Sequence, residues 1–181
     1  LAYIHHTLNT EDSFWASEQD YYDENGPHFQ KLFVDYYKAL VASKWRNELE
    51  KALSPLVFEK IELQLKGFDE RMIPFMQEEG KLSTAYAKLL ASAEFEFDGK
   101  VLNLPLLNFY MEHDRELDDL YDKLVKVRTA MARENGMNNY VPLGYILMGR
   151  SDYDRDMVEN FRKQVKEYLV PLANKLHDKK R

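Results

Sequence analysis

The sequence predicts a mainly α protein: a multi-helix bundle lobe carrying one small β-hairpin near 94–104. Two observations carry this. Apolar residues recur at i, i+3, i+4 and i+7 through most of the chain, most clearly at Phe29, Leu32, Phe33, Tyr36, Tyr37 and Leu40. One stretch departs from that period. Glu94-Phe95-Glu96-Phe97-Asp98-Gly99-Lys100-Val101-Leu102-Asn103-Leu104 alternates apolar and polar residues on either side of Asp-Gly. That dipeptide readily takes the positive φ values a tight hairpin turn needs. A lone hairpin is marginal in water, so this one is expected to pack on the helices.

The helices can be taken in order. Leu1, Ile4 and Leu8 sit at helical spacing and no initiator Met precedes them, so the chain reads as a fragment that begins partway through a helix. Asn9-Thr10-Glu11-Asp12 starts the next helix with a capping side chain and acids that suit the positive end of the dipole. Asn25-Gly26-Pro27 is expected to stop it, with Pro27 opening a further helix whose aromatic stripe, Phe29 to Leu40, is read as core rather than as a groove lining. Ser43 caps a shorter helix through Leu53, and Ser54-Pro55 opens another over 56–65. Gly67 breaks that element and Asp69 begins the next. Pro74 is expected to distort it and Gly80 to end it, leaving Ser83 to cap 84–93.

After the hairpin and Pro105, helix returns from Phe109 to Met131 and ends near Asn135-Gly136. The last helix is capped by Asp154 and carries Val158, Phe161, Val165, Tyr168, Leu172 and Leu176, with Pro171 as a kink. Between these two lies 139–154, a connection longer and less polar than a helix bundle ordinarily uses. It reads as a short buried helix followed by a loop that re-aims the chain. Its functional reading is a loop facing a binding cavity, with Tyr145, Arg150 and Tyr153 as polar handles.

Composition narrows the function classes. The 181 residues suit one domain, or one with a small subdomain. A net charge of −6 argues against a general nucleic-acid binder, which needs clustered Lys and Arg. No cysteine is present, which removes disulfides, thiolate metal sites and cysteine catalysis together. No apolar run approaches the length of a membrane span, and no signal peptide is visible.

Zinc hydrolysis needs two imidazoles on one helical face, a third ligand and a carboxylate base near the metal-bound water. The histidines are His5, His6, His28, His113 and His177, and none forms His-Glu-x-x-His. His113 with Glu112, Asp114 and Glu116 comes nearest to a carboxylate-histidine cluster and reads as a solvated helix face. Asp118-Asp119 and Glu78-Glu79 read as surface charge. No phosphate-binding or nucleophile-elbow motif occurs. Neither a catalytic nor a metal-binding residue is assigned.

Three stretches together resemble one family. Lys81-Leu-Ser-Thr-Ala-Tyr-Ala-Lys-Leu-Leu-Ala-Ser-Ala-Glu-Phe-Glu-Phe-Asp-Gly99 is similar to a helix and hairpin in the amino-terminal part of oligoendopeptidase F. Glu18-Gln-Asp-Tyr-Tyr-Asp-Glu-Asn-Gly-Pro27 resembles an earlier helix-turn of the same proteins. Tyr121-Asp-Lys-Leu-Val-Lys-Val-Arg128, followed by Leu143-Gly-Tyr-Ile-Leu-Met-Gly-Arg-Ser-Asp-Tyr-Asp154, resembles the segment leading toward their catalytic lobe. The likeness runs over nearly the whole chain in the right order.

The resemblance implies the amino-terminal portion of a cytoplasmic, thimet-oligopeptidase-like zinc metallopeptidase that cleaves short peptides in an enclosed channel. In that family the zinc-binding His-Glu-x-x-His helix lies downstream of everything present here. Zinc is therefore expected for the full-length enzyme and none for this portion, which would be inactive alone and would supply channel wall, with Tyr145, Arg150 and Tyr153 facing the channel. Residues 1–107 form the amino-terminal lobe on this reading, and 108–181 lead into the catalytic lobe, the missing docking partner. Leu106-Leu107-Asn108-Phe109-Tyr110 reads as two pieces joined, so a break or missing segment is expected near 107–108. The rival reading is a self-contained helical interaction module with no enzymatic role.

Overall fold

The structure, a computed structural model, describes residues 1–92, 95–97, 100–102 and 107–180. It is mainly helical. In order come α1 (Ala2–Leu8), α2 (Ser13–Val41), α3 (Arg46–Leu53), α4 (Pro55–Lys66), a 3₁₀ turn (Glu70–Met72) and α5 (Ile73–Ala91). Then follow β1 (Phe95–Phe97), β2 (Lys100–Leu102), α6 (Leu107–Glu112), α7 (Asp114–Glu134), α8 (Tyr140–Leu147) and α9 (Arg155–Gln164). A π turn (Val165–Leu169) joins α9 to α10 (Val170–Asp178). The two strands pair antiparallel with Phe95 opposite Leu102 and Phe97 opposite Lys100. The Asp98-Gly99 turn, the start of the alternating run at Glu94 and its end at Asn103-Leu104 lie outside the described residues, as does Pro105.

Several helix starts follow from local side-chain chemistry. Asp12 Oδ1 accepts from the N–H groups of Phe14 and Trp15 at 3.0 and 3.2 Å. Ser54 Oγ accepts from Leu56, Asn139 Oδ1 from Val141 and Asp154 Oδ1 from Met157. Each satisfies a donor that the first helical turn leaves without an intrahelical partner. At the end of α7 the Met137 N–H donates to the Ala132 carbonyl at 2.8 Å and the Gly136 N–H to Arg133 at 2.9 Å. This is a Schellman closure, and it needs Gly136 at its observed φ of 77°.

Two expected helix breaks are absent. α2 runs unbroken through Pro27, which is buried. Proline removes the bond to the carbonyl four residues back and crowds the residue before it. Gly26 has no Cβ to be crowded, and nothing lies within 4 Å of where one would stand. Side-chain donors also reach carbonyls on this turn: Gln77 Nε2 donates to Glu24 O at 2.7 Å and Asn25 Nδ2 to Tyr21 O at 2.9 Å. Likewise, α5 is one helix from Ile73 to Ala91, with Pro74 in its first turn, where proline costs no hydrogen bond. Gly80 does not end it and Ser83 does not cap a new helix. A Cβ on Gly80 would stand 3.3 Å from Asp23 Cβ, so this glycine lets α2 and α5 approach. Thr84 Oγ1 donates to Asp23 Oδ2 at 2.6 Å across the same seam.

The helix expected from Phe109 to Met131 is divided at His113 into α6 and α7. Leu107 and Asn108, where a junction is expected, form the first turn of α6, directly after 103–106, which lie outside the described residues. Pro171 acts through the preceding turn: Val170 N–H reaches back to Val165 O, the wider spacing of a π turn.

The core is formed by Met72, Met131, Ala132 and Leu143, with Phe75, Met76, Val127, Met137 and Tyr140 packed around them. A second cluster, Val34, Phe68 and Ile73, adjoins it through Met76. Polar ties close the bundle. Arg128 Nε donates to Glu79 Oε1 at 2.7 Å and its guanidinium lies 5.7 Å from the Tyr140 ring. Asn135 Nδ2 donates to Lys66 O at 2.8 Å, and Arg71 donates to Glu134 O at 2.9 Å.

The aromatic stripe of α2 departs from its reading as core. Of its members Phe33 is 61% exposed, and Phe29, Leu32 and Tyr36 are exposed with it. Only Val34, outside the stripe, is fully buried on that half of α2. Hydrophobic spacing fixes which residues share a face, whereas coverage of that face depends on which elements reach it. Here α4 and α5 take the neighbouring face. Phe29, Phe33 and Tyr37 instead line an apolar groove of about 550 Å³ against Ile146 and Leu147.

Candidate functional site

The 139–154 segment folds as a helix and a reversal. Leu143 is 0% exposed in the main core and Gly144 is buried beside it, so α8 is anchored through its inner face. Tyr140, whose hydroxyl pKa is raised by burial and then by the nearby Glu79 carboxylate, holds the first turn against Arg128. Gly149, at φ 67°, ends the helix in the left-handed region. Its N–H donates to Ile146 O at 2.9 Å, and the Arg150 N–H donates to Tyr145 O at 3.2 Å. This is a second Schellman closure, and its geometry turns the residue after the glycine back over the last helical turn.

All three residues singled out from the sequence therefore meet. The Arg150 guanidinium lies 4.6 Å from the Tyr145 ring and 5.4 Å from the Tyr153 ring. A guanidinium over an aromatic face is attracted by the ring quadrupole and held in one orientation. Tyr145, Arg150 and Tyr153 line one cavity of about 510 Å³ between α8 and the start of α9. Asp152 and Asp154 line it too, but each carboxylate already has a donor: Ser151 Oγ at 2.5 Å and the Met157 N–H at 2.9 Å.

Two residues missed by sequence reasoning join them. A second cavity of about 510 Å³ adjoins the first and is lined by Arg150, Arg155 and Arg162 together with Tyr145 and Glu159. Arg155 and Arg162 are seven residues apart, two turns along α9, so they fall on one helical face. That spacing was readable, but nothing local indicates that Arg150 would face the same space. Glu159 is already paired with Lys163 Nζ at 3.2 Å. Among the described residues no ion pair is made by the three guanidinium groups.

The histidines do not gather. His113 Nδ1 lies 3.1 Å from Glu116 Oε2, and its ring stacks on Phe109 at 4.3 Å. His5 stacks on Trp15 at 4.1 Å, and His6 is buried with Nε2 lacking a partner among the described residues. Among the described residues, no three His, Cys, Asp or Glu side chains are placed to hold a metal ion together. No described helix is long and apolar enough to cross a membrane.

Residues 1–68 match the Peptidase M3 N-terminal domain. No curated protein matches the chain. Solved structures do. A protein designated oligoendopeptidase F from Bacillus anthracis str. Ames is 38% identical with a TM-score of 0.95, over 99% of this chain and 37% of its own. PZ peptidase A, solved with an inhibitor, is 39% identical with a TM-score of 0.94, over 98% of this chain and 35% of its own. A further protein designated oligoendopeptidase F is 41% identical with a TM-score of 0.94, over the same shares. The chain thus spans about a third of the length of the structures it matches.

Proposed function

Because the chain belongs to the peptidase M3 family, as the amino-terminal portion of an oligoendopeptidase F-type protein, we propose that it is the non-catalytic wall of a zinc-dependent oligopeptidase. The whole enzyme would hydrolyse short peptides in an enclosed channel, in the cytoplasm, with residues 1–107 as an amino-terminal lobe and 108–181 leading toward the catalytic lobe. The observation that carries this reading is the likeness at 38–41% identity over nearly every residue of the chain.

Zinc is what the family implies for the whole enzyme. The donor set of this portion does not fit it, since no described cluster offers three ligands. The work of these residues is therefore shape and recognition. α8 and the 148–154 turn present Tyr145, Arg150 and Tyr153 to an open cavity, and that surface is the part of the wall that would face substrate. The apolar groove along α2 supports a docking role for the remaining length of the protein, since large exposed apolar faces mark surfaces that a partner covers.

The test uses the full-length protein that carries this chain. It should cleave fluorogenic short peptides, lose that activity to a chelator, regain it with zinc, and leave folded proteins intact. A full-length, zinc-replete protein that leaves short peptides uncut would overturn the reading. An intact mass of 21.5 kDa for the purified protein would favour the non-catalytic helical interaction module instead.

A further inference from the structure

We propose that the Arg150, Arg155 and Arg162 cavity binds the carboxylate of a short peptide, with Arg150 as its principal ligand. This rests on the reading of the chain as oligopeptidase wall and names the substrate group that the wall would recognise.

Charge makes the first argument. The chain as a whole carries −6, yet three arginines line one cavity of about 510 Å³ in which the one carboxylate residue, Glu159, already has Lys163 as its partner. Cationic side chains that line one cavity raise its positive potential, which favours an anionic group there. Arginine suits a carboxylate in particular, because its planar fork matches the two oxygens with parallel hydrogen bonds.

Preorganisation makes the second. Arg150 is held by its backbone in the Schellman closure and by contact of its guanidinium with the Tyr145 and Tyr153 rings, 4.6 and 5.4 Å away. A long side chain already fixed in orientation loses less rotamer freedom on binding. A ring contact does not use the N–H donors of the guanidinium, so they stay available to a carboxylate. Met148 and Val158 on the same wall supply apolar surface for the peptide body next to the charged end.

Binding is to be measured by calorimetry on the full-length protein with chelator present, so that peptide survives the experiment. Two probes share one tetrapeptide sequence without acidic residues, as the free acid and as its carboxyl-terminal amide, and a third is the amide with its last residue replaced by glutamate. The free acid should bind about tenfold more tightly than the amide, the size expected for one charge-assisted contact. R150Q and R162Q should each reduce that preference, and R150K should keep part of it, which a misfolded variant would not. If the glutamyl amide binds like the free acid, the site accepts any peptide carboxylate; if it binds like the plain amide, the site reads the chain terminus. Equal affinity for acid and amide, or an undiminished preference in R150Q, would overturn the proposal. Hydrolysis without such a preference would leave the peptidase reading standing alone. A preference without hydrolysis would do the reverse.

Discussion

Arg150 is tied to Tyr145 twice, by its N–H on the Tyr145 carbonyl at 3.2 Å and by its guanidinium 4.6 Å from the ring. Both contacts depend on Gly149, whose φ of 67° brings the chain back over α8. Nothing lies within 4 Å of where a Gly149 Cβ would stand, so a substitution there meets only backbone strain. Gly149→Ala is expected to cost about 1 kcal/mol, and Gly149→Asn less, because asparagine tolerates the left-handed region. Thermal unfolding of the two variants checks this order. Equal losses would mean that the turn re-forms without its left-handed residue.

Gly67 makes a different demand. A Cβ there would stand 2.8 Å from Ile146 Cγ2, a branch that cannot swing away freely. Gly67→Ala is expected to destabilise by about 1–3 kcal/mol, as overpacking generally does. Ile146→Ala removes the opposing methyl, so the double variant should lose less than the sum of the two single losses. A denaturant-based double-mutant cycle reads that coupling, and strict additivity would contradict the clash.

Leu143 anchors the same helix from beneath. It is 0% exposed and packs in the Met72, Met131 and Ala132 cluster. Leu143→Ala should cost about 2–5 kcal/mol, the range for a buried leucine truncation. Because α8 carries the Arg150 turn, the variant should also loosen that turn. Amide exchange at residues 148–151 should rise by more than at α3, and a uniform rise would argue against the anchoring role.

Asp69 supplies a pH test. Hydrogen bonds from the Arg71 side chain, and then from its backbone N–H, lower the carboxyl from 3.8 to about 2. A depressed folded-state pKa means the folded form holds fewer protons, so the stabilisation is present above the unfolded value and is lost as pH falls toward about 2. NMR titration should put the Asp69 midpoint near 2, and Arg71→Gln should raise it toward the ordinary value. Because Arg71 is largely exposed, salt should weaken the effect. An unchanged midpoint in Arg71→Gln would sink the assignment.

Elements whose ends are set by near neighbours were legible in the chain. Ser54 and Asp154 each begin a helix through a bond spanning two or three residues, and Gly136 ends one through its own φ, whereas Asp12, expected among the first-turn acids, is itself the cap. The same local chemistry misled at Pro27 and Gly80. There the expected breaks were overridden by contacts from another helix, Gln77 onto Glu24 O and Gly80 against Asp23. Tyr145, Arg150 and Tyr153 could be singled out because an apolar segment, a glycine and polar tips follow one another in sequence. Arg155 and Arg162 could be placed on one face of α9 but not opposite Arg150.

By itself the sequence determined the helical class, helix starts such as those at Ser54 and Asp154, and the family resemblance, because these rest on periodicity, short-range hydrogen bonding and ordered motifs. Only the tertiary structure decided that the Phe29–Phe33–Tyr37 face lines a groove, and that three arginines from the turn and α9 share one cavity. Periodicity states which residues lie on one face. What that face meets depends on elements far away in the chain, whose approach is set by contacts as close as Gly67 against Ile146.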